Sequence, residues 1–291
     1  MTTPADPTYT WLGEELDLDA YLDRIGFTGA RTPTLATLRE LVRAHNTSIP
    51  FENLEVILGR GVPLDLESLQ DKMIRRRRGG YCYENVALFA AALERLGFEF
   101  TAMSGRVTRG ATNLRPATHA LLRVRADDRI WLCDVGFGWG PLEPVELIAD
   151  RGEFNVGAWR FRLERTLDAV GGELWKLYQF GADGFVDRHT FATTPQYRVD
   201  FAVGNHFVST STRSPFTMRP FVQRFHADVH HQLDGTTWTT SYPDGVQEIR
   251  ELEVAELPKV LAEIFDVDLD AADVEQLLRA EWPLAAQGRI S

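Results

Sequence analysis

Among 291 residues only two are cysteines, and one of them, Cys82, stands inside Arg78-Gly79-Gly80-Tyr81-Cys82-Tyr83-Glu84-Asn85. The glycine pair lets the backbone enter left-handed or strained conformations. Directly after it, Val86, Phe89, Leu93 and Leu96 fall into helical spacing. Cys82 is therefore expected at a helix N-terminus, where the macrodipole and unpaired backbone N–H groups favour thiolate over thiol. Such a cysteine is an activated nucleophile. The alternative is a small, buried, inert apolar residue.

A reactive thiol needs a base, and residues 118–125 and 130–136 supply one from a hairpin. Centring its turn on Asp127 and Asp128 sets Leu121 opposite Asp134 and His119 opposite Gly136. His119 and Asp134 then share one face as diagonal neighbours, roughly 7–8 Å apart at the backbone and within side-chain reach. The same parity turns Cys133 to the other face with Trp131 and Val135, into the core. A histidine that takes the thiol proton, held by a carboxylate that fixes its tautomer, completes an activated-thiol site. The chain order Cys, His, Asp is that of papain-like and transglutaminase-like cores.

These groups must be carried by elements that the sequence also marks. Before Cys82 the spacing predicts three helices: a short one capped by Asp17 or Asp19 and stopped at Gly26, one opened by Thr32-Pro33, and one from Asp65 to Gly79. Between the last two, Ser48-Ile49-Pro50-Phe51-Glu52-Asn53-Leu54 reads as a loop, either lining a pocket or anchoring the core. Arg75, Arg76 and Arg77 complement the negative end of the third helix. After Gly97 the period changes to two, giving strands through the hairpin from Trp159 to Phe180 and beyond. Two helices close the chain, 255–265 and 271–282, the second capped by Asp270.

Composition bounds the function. The chain is 44% hydrophobic, 11% aromatic and 25% charged, the profile of an ordinary soluble globular protein, and long enough for two or three subdomains. Its net charge of −11 argues against nucleic acid or anionic membrane as the main partner. No window approaches 18 consecutive apolar residues, and the acidic N-terminus lacks the layout of a secretory signal, so the cytoplasm is the expected location. Two cysteines exclude a disulfide framework or a cysteine-rich zinc site. Adjacent strand histidines point to opposite faces, which makes His230-His231 poor chelating geometry, and no metal is expected.

The stretch 78–85 resembles the signature of the arylamine N-acetyltransferases, and Ile49-Pro50-Phe51-Glu52-Asn53-Leu54 resembles that family's upstream motif. Thr118-His119-Ala120-Leu121 and Asp134-Val135-Gly136-Phe137-Gly138 are similar to its histidine and aspartate segments, as Asn205-His206-Phe207 and Ser214-Pro215-Phe216 are to downstream ones. The resemblance runs in order over nearly the whole chain. It implies an α+β fold with a papain/transglutaminase-like catalytic core in three parts: a helical N-terminal domain (1–87), a β-barrel domain (88–190) and an α/β lid (191–291).

By the same resemblance, Cys82 accepts an acetyl group from acetyl-CoA and passes it to an arylamine, arylhydrazine or related amine. His119 is then the base and Asp134 its orienter. Phe51, Val107, Phe137 and Phe207 would line the acceptor pocket, while Ala117, Thr118, Gly138 and Ser214 would contact coenzyme A. His206 lies in a family motif that does not carry the base. A monomer or homodimer is expected. The alternative on the same core is a cysteine hydrolase or transglutaminase-like enzyme; whether water or an amine resolves the thioester separates the two.

Overall fold

The computed structural model describes residues 7–149 and 151–279. Asp17 accepts from the Ala20 N–H and starts α1 (Leu18–Ile25), which Gly26 ends at φ 69°. Thr34 caps α2 (Leu35–Ser48), two residues later than the Thr32-Pro33 expectation, because its hydroxyl reaches the Thr37 N–H. The segment expected as a loop is more regular than that. It forms a short strand, β1 (Phe51–Glu52), and a single turn, α3 (Leu54–Ile57).

Asp65 caps α4 (Leu66–Leu69) as expected, but the helix does not run straight to Gly79. It widens into a π-helical stretch over Gln70–Arg75 and stops at Arg76, with Arg77 at φ 53°. In this winding Lys72 points inward, 2.6 Å from the Glu84 carboxylate, while Arg75 and Arg76 pair with Asp71 at the surface. Next comes α5 (Cys82–Arg95), buried continuously from Cys82 to Leu93 and followed by Gly97 at φ 79°.

Eight antiparallel strands follow: β2 (Glu99–Val107), β3 (His119–Ala126), β4 (Arg129–Cys133), β5 (Val145–Glu146), β6 (Gly152–Val156), β7 (Trp159–Leu167), β8 (Glu173–Gly181) and β9 (Gly184–Phe191). They form one sheet in the order β5-β4-β3-β2-β9-β8-β7-β6. Asp127 and Asp128, both at positive φ, make the tight β3–β4 turn, whose twist suits a two-residue hairpin loop. Leu122 faces Cys133 and Val124 faces Trp131, the register expected from the turn. Between β8 and β9 the pairing slips: Leu177 faces His189 but Tyr178 faces Asp187, so Arg188 is the extra residue of a bulge.

The stretch after β9, read as further strands, opens instead with a helix. In α6 (Arg198–Thr210) the Asp200 carboxylate accepts from the Tyr197 N–H, and Phe201, Asn205 and Val208 turn inward on one side. Then β10 (Phe221–Phe225), β11 (His230–Asp234), β12 (Thr237–Ser241) and β13 (Gln247–Glu251) form a second antiparallel sheet in the order β1-β10-β11-β12-β13. Two helices, α7 (Leu257–Phe265) and α8 (Ala271–Arg279), close the described chain. Asp270 accepts from the Asp273 N–H as the expected cap, and the last part of the expected 271–282 helix lies outside the described residues.

The apolar side chains gather in three clusters. The first joins the N-terminal helices and α5 to the outer face of β3 and β4, including Trp131, Cys133 and Val135. The second fills the eight-stranded sheet around Trp159, Phe161 and Phe191, and the third packs Leu257, Leu261 and Phe265 of α7 onto Val222 and Leu233. Each such fully buried side chain contributes about 1.5–3 kcal/mol. β1 belongs to the second sheet through β10, while Phe51 and the preceding Ile49 pack in the helical cluster and the following Leu54 in the third. The residues flanking Cys82 are thus tied to both sheets.

Candidate active site

Cys82 is the first residue of α5, and the turn that delivers it is held from three sides. Glu84 accepts from the Tyr81 N–H at 3.0 Å, closing the helix start. Asn85 Nδ2 donates to the carbonyls of Gly80 and Tyr81 at 2.6 and 3.3 Å, and its Oδ1 lies 3.0 Å from Nε2 of the buried His45. Gly80 also bridges to β1: Glu52 N–H donates to Gly80 O and Gly80 N–H to Pro50 O. Neither glycine of the pair has positive φ, so the expected left-handed backbone is absent. They are required by close approach: a Cβ on Gly79 would lie 2.1 Å from Pro50 O, and one on Gly80 would lie 2.8 Å from the Glu84 Cβ.

His119 at the start of β3 and Asp134 just past β4 come together as the hairpin parity predicts. His119 Nε2–H donates to Asp134 Oδ1 at 3.0 Å, both side chains being buried. Burial alone would lower the His119 pKa, but the Asp134 carboxylate and the adjoining Cys82 outweigh it and raise it to about 10. Burial pushes Asp134 up, and His119 and His189 overcome this to hold it well below the usual carboxylate range. The Cys82 thiol donates to the Thr118 carbonyl at 3.5 Å, and a Cβ on Gly136 would come within 2.8 Å of the Cys82 Cα. The chain around Asp134 is therefore packed directly on the helix start. Cys133 is fully buried in the helical cluster, where burial pushes its thiol up.

Sequence reasoning missed a second histidine. His189 Nε2–H donates to the other Asp134 oxygen, Oδ2, at 2.8 Å, and its ring lies 5.0 Å from that of His119. The pairing of β9 with β2 and β8 places it beside Val107 and Leu177. His119, Asp134 and His189 are also the group, among the described residues, whose donor atoms lie within 4.8 Å of one another and could hold a cation; here those atoms bond to each other. His230 and His231 do point opposite ways, the first stacked on Trp139 at 4.2 Å and the second beside Thr240. His206 is exposed on α6.

The expected pocket residues divide. Phe137 packs edge-on against both His119 and His189 at 5.3 Å, and Val107 lies opposite His189 across the sheet. Phe51 is buried against Phe216 and Phe221 and touches the Gly138 backbone, where a Cβ would meet Phe51 at 2.8 Å. Phe207 packs on the helical cluster beneath the Arg213 guanidinium. Thr118 meets Cys82 through its carbonyl and Ala117 is exposed beside it. Ser214 is buried, its hydroxyl spent on the Phe216 N–H. A cavity of about 10 Å³ among Asn85, Asp134, Gly138 and Gln223 adjoins the site. A wider cleft of about 540 Å³ lies beside Trp131, on the face of β4 turned away from His119, and holds none of these residues.

The family model for N-acetyltransferase matches residues 34–274. An arylamine N-acetyltransferase of Mycolicibacterium smegmatis is 39% identical over 268 residues, covering 87% of this chain and 93% of the relative. One from Escherichia coli is 33% identical, covering 88% and 90%. The crystal structure of the Nocardia farcinica arylamine N-acetyltransferase is 64% identical and superposes with a TM-score of 0.94, covering 96% of this chain and 99% of that one. The Mycobacterium marinum arylamine N-acetyltransferase in complex with CoA superposes with a TM-score of 0.82 at 32% identity, covering 90% and 98%.

Proposed function

The chain belongs to the arylamine N-acetyltransferase family, a transferase with acetyl-CoA as co-substrate, and we propose that it moves the acetyl group through a thioester on Cys82 to an arylamine or arylhydrazine nitrogen. The observation that carries this reading is the continuous contact from Cys82 to His119 to Asp134. Asp134 engages Nε2–H, which leaves Nδ1 of His119 to take the thiol proton. The thiolate adds to the thioester carbonyl of acetyl-CoA. The resulting oxyanion lies at the start of α5, whose first N–H groups have no partner within the helix. Collapse breaks the bond to the coenzyme A sulfur, which leaves with the proton from His119. In the second half the amine nitrogen attacks the acetyl carbon, its proton passes to His119, and the Cys82 thiolate is released.

Phe137, Val107, Phe51 and Phe207 are assigned to the acceptor and Ala117, Thr118, Gly138 and Ser214 to coenzyme A. Contact with the catalytic histidine supports Phe137 most directly, and contact with the Cys82 sulfur supports Thr118. The domain boundaries are assigned near 88 and 190; the second lies at the end of β9, whereas 88 lies within α5, ahead of the change to the large sheet at Glu99. No described helix is long and apolar enough to cross a membrane, and a cytoplasmic site of action is assigned on the family reading.

Intact-protein mass after mixing with acetyl-CoA is expected to rise by one acetyl group mapping to Cys82, and to return on adding an aromatic amine. Initial rates at several amine concentrations should give parallel double-reciprocal lines. Intersecting lines with no acetyl-enzyme would replace the thioester route by direct transfer.

A further inference from the structure

Asp134 has two oxygens, and the mechanism above uses one. The other, Oδ2, is occupied by His189 at 2.8 Å, from a side chain with no solvent exposure. We propose that His189 is a positioning residue for the transfer reaction: as a neutral imidazole it donates Nε2–H to Asp134 and locks the carboxylate so that Oδ1 stays aimed at His119.

The environment keeps that role separate from proton transfer. One carboxylate faces two imidazoles, and a second positive charge beside His119 and Arg188 in this buried space is disfavoured. Burial lowers the His189 pKa, and its bond to Asp134 offsets this only in part. Its Nδ1 has no partner, and the ring is wedged among Phe137, Phe191 and His119. The bulge at Arg188 sets the side-chain parity that brings His189 to Asp134 while the Arg188 guanidinium lies over Trp139 at 4.1 Å. Without a donor at Oδ2, the carboxylate is left with an unsatisfied buried oxygen and is free to rotate toward another partner, and His119 loses its orienter.

The test rests on the thioester mechanism, so acetylation of Cys82 is followed directly, with p-nitrophenyl acetate as donor. His189→Phe keeps a ring of similar size without the N–H; His189→Gln can return an N–H to Oδ2. We expect His189→Phe to acetylate Cys82 roughly 10–100-fold more slowly, with KM for both substrates within about threefold of wild type. The pH midpoint for iodoacetamide alkylation of Cys82 should move upward as His119 loses its orienter. The groups that set it are His119, Asp134 and His189 with Tyr81 and Tyr83 beside the sulfur. His189→Gln should recover both to near wild type. A His189→Phe enzyme with unchanged acetylation rate and midpoint, or a His189→Gln enzyme as slow as His189→Phe, overturns the assignment. Nitrogen-15 spectra of the wild-type imidazoles test it without a variant: His189 should be a neutral Nε2–H tautomer at pH 7 and above, and an imidazolium or Nδ1–H tautomer there overturns it. Loss of Cys82 acetylation in the wild type itself would instead defeat the thioester mechanism.

Discussion

At the scale of single residues the site depends on one buried charge. Asp134 stays ionised although burial opposes it, because two histidine N–H groups face its two oxygens. That charge in turn raises His119, so the thiol of Cys82 meets a base that readily holds a proton. Asp134→Asn keeps the shape and removes the charge. Cys82 acetylation, read as the burst with p-nitrophenyl acetate, is expected to slow roughly 10²–10⁴-fold, in line with loss of the carboxylate in other triads. A folded Asp134→Asn enzyme with a wild-type burst would leave Asp134 a strand-end residue and the mechanism without its orienter. Cys133, its chain neighbour, illustrates how far one position matters: the same thiol one residue along points into the helical core.

At the scale of elements, the proposed mechanism rests on the junction of α5 with the end of the β3–β4 hairpin. That junction is tight enough that a Cβ on Gly136 would lie 2.8 Å from the Cys82 Cα and 3.0 Å from its Cβ and carbonyl oxygen. Gly136→Ala must therefore push the hairpin off the helix start. We expect about 1–3 kcal/mol lower stability in urea and a loss of Cys82 acetylation out of proportion to that loss. Gly61→Ala, where a Cβ meets nothing within 4 Å and φ is not positive, serves as control and should change neither. Equal, small effects for the two variants would show that the junction is pliant. The hairpin register was legible because Asp127-Asp128 fixes the turn and alternation fixes the face; the helix start was legible because apolar spacing begins just after Cys82. What could not be read was any partner set by pairing between distant strands. His189 reaches Asp134 only through the β2–β9 contact and the bulge at Arg188, neither of which leaves a local pattern. The π-helical turn before Gly79 was hidden for a similar reason. Its register suits the burial of Lys72 against Glu84, a contact across 12 positions. The helix α6 carries a weak signal, Phe201 and Val208 seven apart, within a stretch otherwise patterned like strands.

At the scale of the whole molecule, the fold buries several histidines in neutral form, and this makes its stability depend on pH in a definite direction. His45 sits between the Tyr21 hydroxyl and the Asn85 carboxamide, 2.9 and 3.0 Å away. Burial lowers its pKa to about 4, against a raising hydrogen bond from Asn85 and a lowering charge on Arg24. In the unfolded chain the same imidazole titrates near 6.5. Between those values the unfolded state binds a proton that the native state refuses, so stability falls as pH falls through the window, and the loss is complete below about pH 4. His189 and His230, also lowered by burial, act in the same sense. His119, raised to about 10, acts oppositely: its contribution is intact below about 6.5 and is lost as pH rises toward 10. For His45 alone the loss from pH 7 to pH 5 should reach about 2 kcal/mol. Urea unfolding of the wild type and of His45→Phe at pH 7, 6 and 5 isolates it. The variant loses two buried hydrogen bonds and is less stable at pH 7, but its deficit should shrink by about 2 kcal/mol at pH 5, because nothing at that position is left to protonate. A deficit that stays constant across the three pH values would mean that His45 titrates in the folded protein as it does in the unfolded chain, and a deficit that grows toward pH 5 would mean that it is already charged in the folded protein. In that second case the clamp it forms through Asn85 on the Gly80 carbonyl would be a charge-assisted one, and the turn that presents Cys82 would be held by the imidazolium instead of by neutral hydrogen bonds.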